Sequence, residues 1–331
     1  MKQVKAFGPQ DLRFVEASVP VLATDEVLID MKACGICGSD KWFWYVKEPT
    51  DYVAGHEVAG EVVAVGSDVS SLQVGDRVAV NNVKGCGTCE ACLGGQFVRC
   101  PNGITHMGFG FSEQLAVPER NCLKLDNSVS DEVGALIFDN WGTPYSAIDR
   151  TMMKSGDYVL VIGCGPIGLA AIRLATVRGA IVIAVDPIAA RLEMAKKQGA
   201  VVALSPDEAN DEVLNDFTNN QGMTIVLECS GKPASYKLAY RALSIGGTLV
   251  SIGEGAKFEF HSSDWIHKHL TLIGSLYSTM EAGAQVQQLI VSGEIAPLAI
   301  VTHRFKLEEV PAQFGKVIEY SEGLLKSIVV R

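Results

Sequence analysis

Four cysteines at short spacing constrain the fold of this chain more than any other feature of its sequence. They follow the pattern Cys-x₂-Cys-x₂-Cys-x₇-Cys and are Cys86, Cys89, Cys92 and Cys100. Four thiolates this close along a chain can converge on one ion, and a closed shell of four sulfurs is typical of a structural zinc site. A pair of disulfides or four unrelated thiols is the alternative, which a reducing compartment would disfavour.

Length and net charge limit the classes of protein to which this chain can belong. The 331 residues suffice for two domains, and the net charge of −10 disfavours nucleic acid as a partner because phosphate binding needs a basic surface. The N-terminal residues lack the apolar segment of a secretory signal, and no apolar run reaches the length of a membrane span. We therefore expect a protein of the reducing cytoplasm with a small-molecule ligand.

The pattern of apolar runs divides the chain. Short β-type runs fill the first third, whereas from about residue 155 buried strands alternate with helices, which is typical of a parallel sheet covered on both faces. We predict a β-rich domain over 1–138 with the cysteine lobe at about 84–101. A Rossmann domain over 139–275 follows, and 276–331 returns to complete the first domain.

A glycine-rich turn follows the predicted strand 158–162. The sequence Gly-Cys-Gly-Pro-Ile-Gly opens a helix, and a second strand ends in Asp186, so the whole motif sits in one βαβ unit. The helix N-terminus offers free N–H groups to a pyrophosphate. Asp186 is placed to accept hydrogen bonds from the adenosine ribose and would repel a 2′-phosphate, which favours NAD over NADP. The predicted cofactor-binding residues are Gly163, Gly165, Pro166, Ile167, Gly168, Asp186 and Arg191. The alternative is a glycine turn in a nucleotide-free domain, with Asp186 as a helix cap.

A second group of possible metal ligands is scattered along the first domain. Cys37 lies in Cys-Gly-Ile-Cys-Gly-Ser-Asp, and His56 and Glu57 lie in Gly-His-Glu. Thiolate, imidazole and carboxylate all bind zinc, and a catalytic zinc keeps one position open. Spacing alone does not show that these residues meet.

The order of these motifs, with Val-Gly-Asp-Arg-Val between them, resembles the zinc-containing medium-chain alcohol dehydrogenases over essentially the whole chain. It is closest to the polyol (sorbitol-like) and threonine dehydrogenase branches. The resemblance implies a GroES-like catalytic domain beside the Rossmann domain, and one catalytic and one structural zinc. The resemblance implies that Cys37 and His56 are catalytic zinc ligands and that Asp139 is the remaining acidic ligand. Glu57 is then either a direct ligand of this zinc or a residue that contacts its ligands. Asp139 is shorter than the glutamate often found there, so contact through water is an alternative, as is a loop or capping role.

The resemblance also assigns the surroundings of the catalytic zinc. Ser39 corresponds to the hydroxyl that bonds the substrate alcohol and passes on its proton, although it is also a plausible turn residue, and Asp40 orients the site. Many relatives carry a histidine two positions beyond that aspartate, where this chain has Trp42. The proton must then leave through water, the cofactor ribose or another group. The aromatic run 42–45 either walls the substrate pocket or packs in the core.

These features together predict a zinc-dependent oxidoreductase that transfers a hydride from a secondary alcohol of a polyol, cyclitol or sugar-derived compound to NAD. A threonine-like 3-hydroxy amino acid dehydrogenase is the alternative, with Lys41 near the motif as a partner for a carboxylate. A more distant alternative is a non-catalytic NAD-binding protein that holds only the structural zinc. The resemblance implies a homo-oligomer, dimer or tetramer. The resemblance makes Cys34 a non-ligand. No spacing assigns a role to the other histidines and cysteines, which are His106, His261, His267, His269, His303, Cys122, Cys164 and Cys229.

Overall fold

The computed structural model describes residues 1–319 and 323–331 of the chain, which forms two compact units. One unit comprises Met1–Gly142 together with Tyr277–Arg331, and the other comprises Thr143–Leu276. We refer to them as the first and second unit. Asp139 lies in the first unit.

The strands of both units are numbered in chain order. They are β1 Lys2–Gly8, β2 Asp11–Glu16, β3 Glu26–Ile36, β4 Glu57–Val65, β5 Arg77–Val80, β6 Val83–Lys84, β7 Thr105–His106, β8 Gln114–Pro118, β9 Cys122–Lys124, β10 Tyr158–Ile162, β11 Ile181–Val185, β12 Val202–Leu204, β13 Met223–Glu228, β14 Leu243–Ser251, β15 Thr271–Gly274, β16 Val301–Lys306 and β17 Lys326–Val330.

The helices are numbered in the same way. They are α1 Lys41–Trp44, α2 Glu90–Leu93, α3 Asp131–Ala135, α4 Gly142–Asp149, α5 Pro166–Val177, α6 Ala189–Gln198, α7 Asp211–Phe217, α8 Pro233–Ala242, α9 Ser262–His267, α10 Met280–Val291 and α11 Val310–Ile318. A π-helical turn, Ile137–Trp141, lies between α3 and α4.

A seven-stranded sheet organises the first unit. Its order is β16-β17-β3-β4-β5-β9, and β8 pairs with β3. The antiparallel register of β3 and β4 sets Gly35 opposite Glu57, so the end of β3 and the start of β4 bring residues 37 and 56 together. The core beside this sheet includes Phe111 and Phe314, which are both fully buried.

A six-stranded parallel sheet organises the second unit. Its order, β12-β11-β10-β13-β14-β15, is that of a Rossmann fold and changes direction between β10 and β13. Strand β10 is apolar and almost wholly buried, as a central parallel strand requires. Helix α6 ends at Gly199, whose φ of 112° allows the left-handed turn that terminates it.

The predicted α/β class, with a Rossmann sheet and a β-rich domain, is confirmed. Strand β3 continues to Ile36 and so leads directly into Cys37. Strand β14 begins at Leu243 and pairs with β13 through a register shift in spite of its two glycines.

Candidate functional site

Four side chains of the first unit offer ligand atoms to one point in space. Their ligand atoms all lie within 4.8 Å of one another, and the residues are Cys37, His56, Glu57 and Asp139. Cys37 follows β3, His56 directly precedes β4, Glu57 is the first residue of β4, and Asp139 lies in the π-helical turn. Such turns are rare and occur often at functional sites. The fold thus brings together residues that are far apart in the sequence.

His56 is held by a carboxylate on each side of its ring. Its Nδ1 lies 3.1 Å from Asp40 Oδ1, and its Nε2 lies 3.3 Å from Asp139 Oδ2. Asp40 is itself fixed, since its other oxygen accepts the Cys37 backbone N–H at 3.0 Å. A histidine that donates Nδ1–H to Asp40 directs the Nε2 lone pair at Asp139, which is how carboxylates orient metal-bound histidines.

This arrangement fits a cation. A lone pair on Nε2 and an anionic carboxylate oxygen would repel each other at 3.3 Å unless a proton or a metal ion lay between them. The shifts in the pKa values of the two residues also agree with a positive charge between them. Burial alone would lower the pKa of His56, but Asp40 and Asp139 raise it well above its usual value. Burial would raise the pKa of Asp139, but His56 lowers it below its usual range.

Glu57 is tied to a buried lysine from the C-terminal strand. Lys326 Nζ donates to Glu57 Oε1 at 2.5 Å and to the Ile36 carbonyl at 3.0 Å. Burial raises the pKa of Glu57 to about 7 in spite of the nearby ammonium. The other oxygen, Oε2, is buried without a hydrogen-bond partner among the described residues. This oxygen is therefore available as a metal ligand.

The segment after Cys37 carries an exposed hydroxyl and a run of aromatic side chains. Ser39 is exposed and its hydroxyl donates to Cys37 Sγ at 3.3 Å. In the aromatic run, Phe43 is fully buried and its ring contacts that of Phe314 edge-on, so this residue packs in the core. Trp42 is 46% exposed and its ring contacts that of Tyr52. The run is thus divided between core packing and an exposed aromatic surface.

The four-cysteine lobe gathers its sulfurs as the spacing suggests. Cys86, Cys89, Cys92 and Cys100 also offer ligand atoms within 4.8 Å of one another. Two of these sulfurs, those of Cys89 and Cys100, are 3.9 Å apart, and all the cysteines of the chain are free thiols. Four thiol donors and a small apolar cluster around Phe97 suit a closed tetrahedral zinc site.

The glycine-rich turn of the second unit leads from β10 into α5. Gly163 has a φ of 94°, and a Cβ on Gly168 would lie 1.8 Å from the Gly163 carbonyl oxygen, so both positions require glycine. A Cβ on Gly165, by contrast, would meet no atom within 4 Å. Helix α5 begins there with no side-chain cap, which leaves its first N–H groups for an anionic ligand. The turn therefore fits a pyrophosphate.

Asp186 lies at the end of β11, beside this turn. It is buried, and its two oxygens accept the backbone N–H groups of Cys164 and Ile188, each at 2.8 Å. The guanidinium of Arg191, in α6, approaches the same carboxylate to 3.9 Å. The carboxylate thus also shapes the turn that precedes α5, which the sequence did not indicate.

Sequence reasoning missed Lys326 altogether, and it assigned no role to His106 or Tyr277. Lys326 is separated from Glu57 by 269 positions, and only the pairing of β17 with β3 brings the two together. A lysine within an apolar strand, Lys-Ser-Ile-Val-Val, is the single signal that could have suggested a buried partner.

The comparisons with known proteins identify the family. Residues 23–127 match the model of the alcohol dehydrogenase GroES-like domain, and residues 166–292 match that of the zinc-binding dehydrogenases. The chain is 33% identical to L-threonine 3-dehydrogenase of Pectobacterium atrosepticum, over 98% of this chain and 92% of that protein. It is 30% identical to sorbitol dehydrogenase of Bacillus subtilis, over 99% and 97% of the two chains.

A solved structure agrees with these matches. The alcohol dehydrogenase of Thermus sp. ATN1 superposes with a TM-score of 0.91 at 32% identity, covering 100% of this chain and 99% of that one. No helix among the described residues has the length and hydrophobicity of a membrane span. The predicted GroES-like domain, zinc and NAD are confirmed at the level of the family. The chain belongs to the zinc-containing medium-chain alcohol dehydrogenases and is an NAD-dependent enzyme of that family.

Proposed function

We propose that this enzyme oxidises a secondary alcohol in a polyol, cyclitol or sugar-derived compound to a ketone. The observation that carries the proposal is the convergence of Cys37, His56, Glu57 and Asp139 within 4.8 Å, with His56 oriented by Asp40. A site with mixed sulfur, nitrogen and oxygen donors is typical of catalytic zinc, whereas a site of four sulfurs is structural. The likeness to sorbitol dehydrogenase supports the polyol class.

The catalytic metal is assigned to these four side chains, and NAD to the glycine-rich turn. When bound, zinc polarises the alcohol oxygen as a Lewis acid and the nicotinamide accepts the hydride. Asp40 keeps the proton of His56 on Nδ1, so that Nε2 remains a ligand. Lys326 holds one oxygen of Glu57 and so limits how far this carboxylate can move.

Ser39 is assigned the first proton transfer. Its hydroxyl is exposed and lies 3.3 Å from Cys37 Sγ, so it is placed on the open side of the cluster. A hydroxyl can accept the alcohol proton while it donates its own, which makes Ser39 a carrier of the proton and not its final acceptor.

NAD is assigned to Gly163, Gly165, Pro166, Ile167 and Gly168, with Asp186 and Arg191 at the adenosine end. The start of α5 binds the pyrophosphate through its free N–H groups. Each Asp186 oxygen has a lone pair left for a ribose hydroxyl, since each accepts one backbone N–H. The negative charge of Asp186 disfavours the 2′-phosphate of NADP.

Oxidation of a 3-hydroxy amino acid is the second candidate. The 33% identity to L-threonine 3-dehydrogenase favours it, and Lys41, two residues beyond Ser39, is an exposed cation suited to a substrate carboxylate. Substitution of Lys41 by Met separates the two candidates. It should raise KM for L-threonine about 10-fold or more, since a charged hydrogen bond is lost, and leave KM for a neutral polyol unchanged.

The test is a screen of the purified enzyme with NAD, following absorbance of NADH. D-sorbitol, xylitol, myo-inositol, butane-2,3-diol and L-threonine form the panel, and Cys37→Ala is the inactive control. Oxidation of a polyol or cyclitol supports the proposal, and oxidation of L-threonine alone refutes it in favour of the second candidate. A homo-oligomer and a cytoplasmic location remain predictions, and light scattering tests the first of them.

A further inference from the structure

A tyrosine and a histidine outside the ligand set form a hydrogen-bonded pair in the first unit. The Tyr277 hydroxyl lies 3.0 Å from Nδ1 of His106, and the two ring centroids are 5.4 Å apart. Tyr277 is half-buried and His106 is exposed, so the pair runs from the interior to the surface. Neither residue has a role in the alcohol oxidation as proposed above.

The backbone at Tyr277 is tied to the segment that carries one of the candidate zinc ligands. The next residue, Ser278, donates its hydroxyl to the Phe138 carbonyl at 2.7 Å, and its carbonyl accepts a hydrogen bond from Asn81 Nδ2 at 3.0 Å. Phe138 directly precedes Asp139, so the backbone of Tyr277–Ser278 is tied to the segment that carries this ligand. Tyr277 also has a φ of 51°, a strained conformation for a bulky residue that is found most often at functional sites.

The Tyr277 hydroxyl is within electrostatic range of the cluster. Burial raises its pKa to about 12, and the charges of His56, Asp139 and Cys37 act on it as well. The hydroxyl therefore stays protonated at neutral pH, as a group that passes a proton on must be.

His106 is held in place by the short β6–β7 ladder. It pairs with Val83, and the N–H of the following Met107 donates to the Asn82 carbonyl at 2.8 Å. An imidazole can accept a proton at one ring nitrogen and donate one from the other, and the ring of His106 is exposed to water. It is thus a suitable end for a proton path.

We propose that the proton released by the substrate alcohol leaves the first unit through Tyr277 and His106. Water carries the proton that Ser39 has released to Tyr277 Oη, which gives its own proton to Nδ1 of His106 over the 3.0 Å hydrogen bond, and the imidazolium releases a proton from Nε2 to solvent. No electron moves in this relay, and the oxidation as a whole still yields a ketone, NADH and one proton. It rests on the proposed alcohol oxidation and fills the role that Trp42 cannot serve.

The test compares Tyr277→Phe and His106→Ala with the wild type, on the panel alcohol that the wild type oxidises fastest. Both variants should lose about 100-fold in kcat, the usual contribution of a proton-transfer group, with KM nearly unchanged. Added imidazole should restore the His106→Ala enzyme and leave Tyr277→Phe unrestored, because only the former lacks the terminal acceptor. Tyr158→Phe and His267→Ala, at a half-buried and an exposed position of the second unit, should match the wild type.

A second readout does not depend on turnover. In zinc-loaded enzyme without substrate, ¹⁵N NMR of His106 should show an unprotonated, hydrogen-bonded Nδ1 whose signal moves in Tyr277→Phe. A kcat at the wild-type level in either relay variant, or an Nδ1 signal unaffected by Tyr277→Phe, would overturn the relay. A wild type that oxidises no panel alcohol instead refutes the proposed function, and the relay falls with it.

Discussion

Lys326 Nζ lies 2.5 Å from Glu57 Oε1, and each of the two side chains is only 1% exposed. Both ions have left water, so each depends on the other for compensation. The Ile36 carbonyl accepts a second hydrogen bond from the ammonium, which ties β17 to the end of β3 just before Cys37. The pair therefore couples the C-terminal strand to the candidate metal site.

Substitution of Lys326 by Met should lower the free energy of unfolding by about 3–5 kcal/mol, because it removes the ammonium that compensates the buried Glu57 carboxylate. Urea denaturation of the zinc-loaded enzyme measures the change. The double variant Glu57→Gln/Lys326→Met should recover part of this loss, since the unpaired charge is removed. Lys196→Met, which breaks an exposed pair with Glu193, is the control and should have no measurable effect. Equal losses in Lys326→Met and the double variant would contradict the assignment.

Substitution of Asp40 by Asn should weaken zinc binding at the catalytic site about 10–100-fold, the usual cost of losing an outer carboxylate. The amide no longer secures the proton on His56 Nδ1, so the ring loses the orientation that presents Nε2. Competition with a chelating dye measures the affinity of this site. Asp149→Asn, at an exposed position in α4, is the matched control. Unchanged affinity in Asp40→Asn would show that Asp40 does not act on the ligand.

The two metal sites should respond differently to loss of a cysteine. Cys37→Ser and Cys89→Ser should each remove one zinc ion per chain, as elemental analysis will measure. Only Cys89→Ser should lower the melting temperature strongly, because its four-sulfur site is closed and fastens a lobe with little apolar core of its own. Cys37→Ser should instead abolish turnover and leave NADH binding intact. Similar melting temperatures in the two variants would refute the division of roles.

The cofactor assignment can be tested without a substrate. Asp186→Asn should weaken NADH binding about 10-fold, because a charged hydrogen bond to the ribose is replaced by a neutral one, and should weaken NADPH binding less, because the charge that repels the 2′-phosphate is removed. Fluorescence titration with both nucleotides gives the two dissociation constants. Asp216→Asn, exposed in α7, controls for the change in net charge. An unchanged ratio of the two constants would remove Asp186 from the nucleotide site.

The sequence was most informative where the chemistry is local in the chain. The cysteines of the lobe and the glycines before α5 lie within a few positions of one another, so spacing alone indicates their geometry. The parallel sheet of the second unit could be predicted because buried apolar strands alternate with helices along this part of the sequence. Groups brought together by distant pairing left no such signal. Lys326 reaches Glu57 only through the β17–β3 pairing, and Tyr277 meets His106 across 171 positions.

Trp42 provides a further test of the proposed relay. It stands where the family resemblance implies a histidine, and its exposed ring packs on Tyr52, so substitution should not disturb the core. If Tyr277 and His106 carry the proton, restoring the family histidine should make them dispensable. Trp42→His in the Tyr277→Phe background should recover about 10-fold in kcat, as a proton-transfer group regained in imperfect geometry would give. Trp42→Phe in the same background should recover nothing, because phenylalanine keeps the aromatic contact but carries no proton. Equal kcat values in the two double variants, measured by NADH formation, would show that position 42 is unconnected with proton transfer in this enzyme.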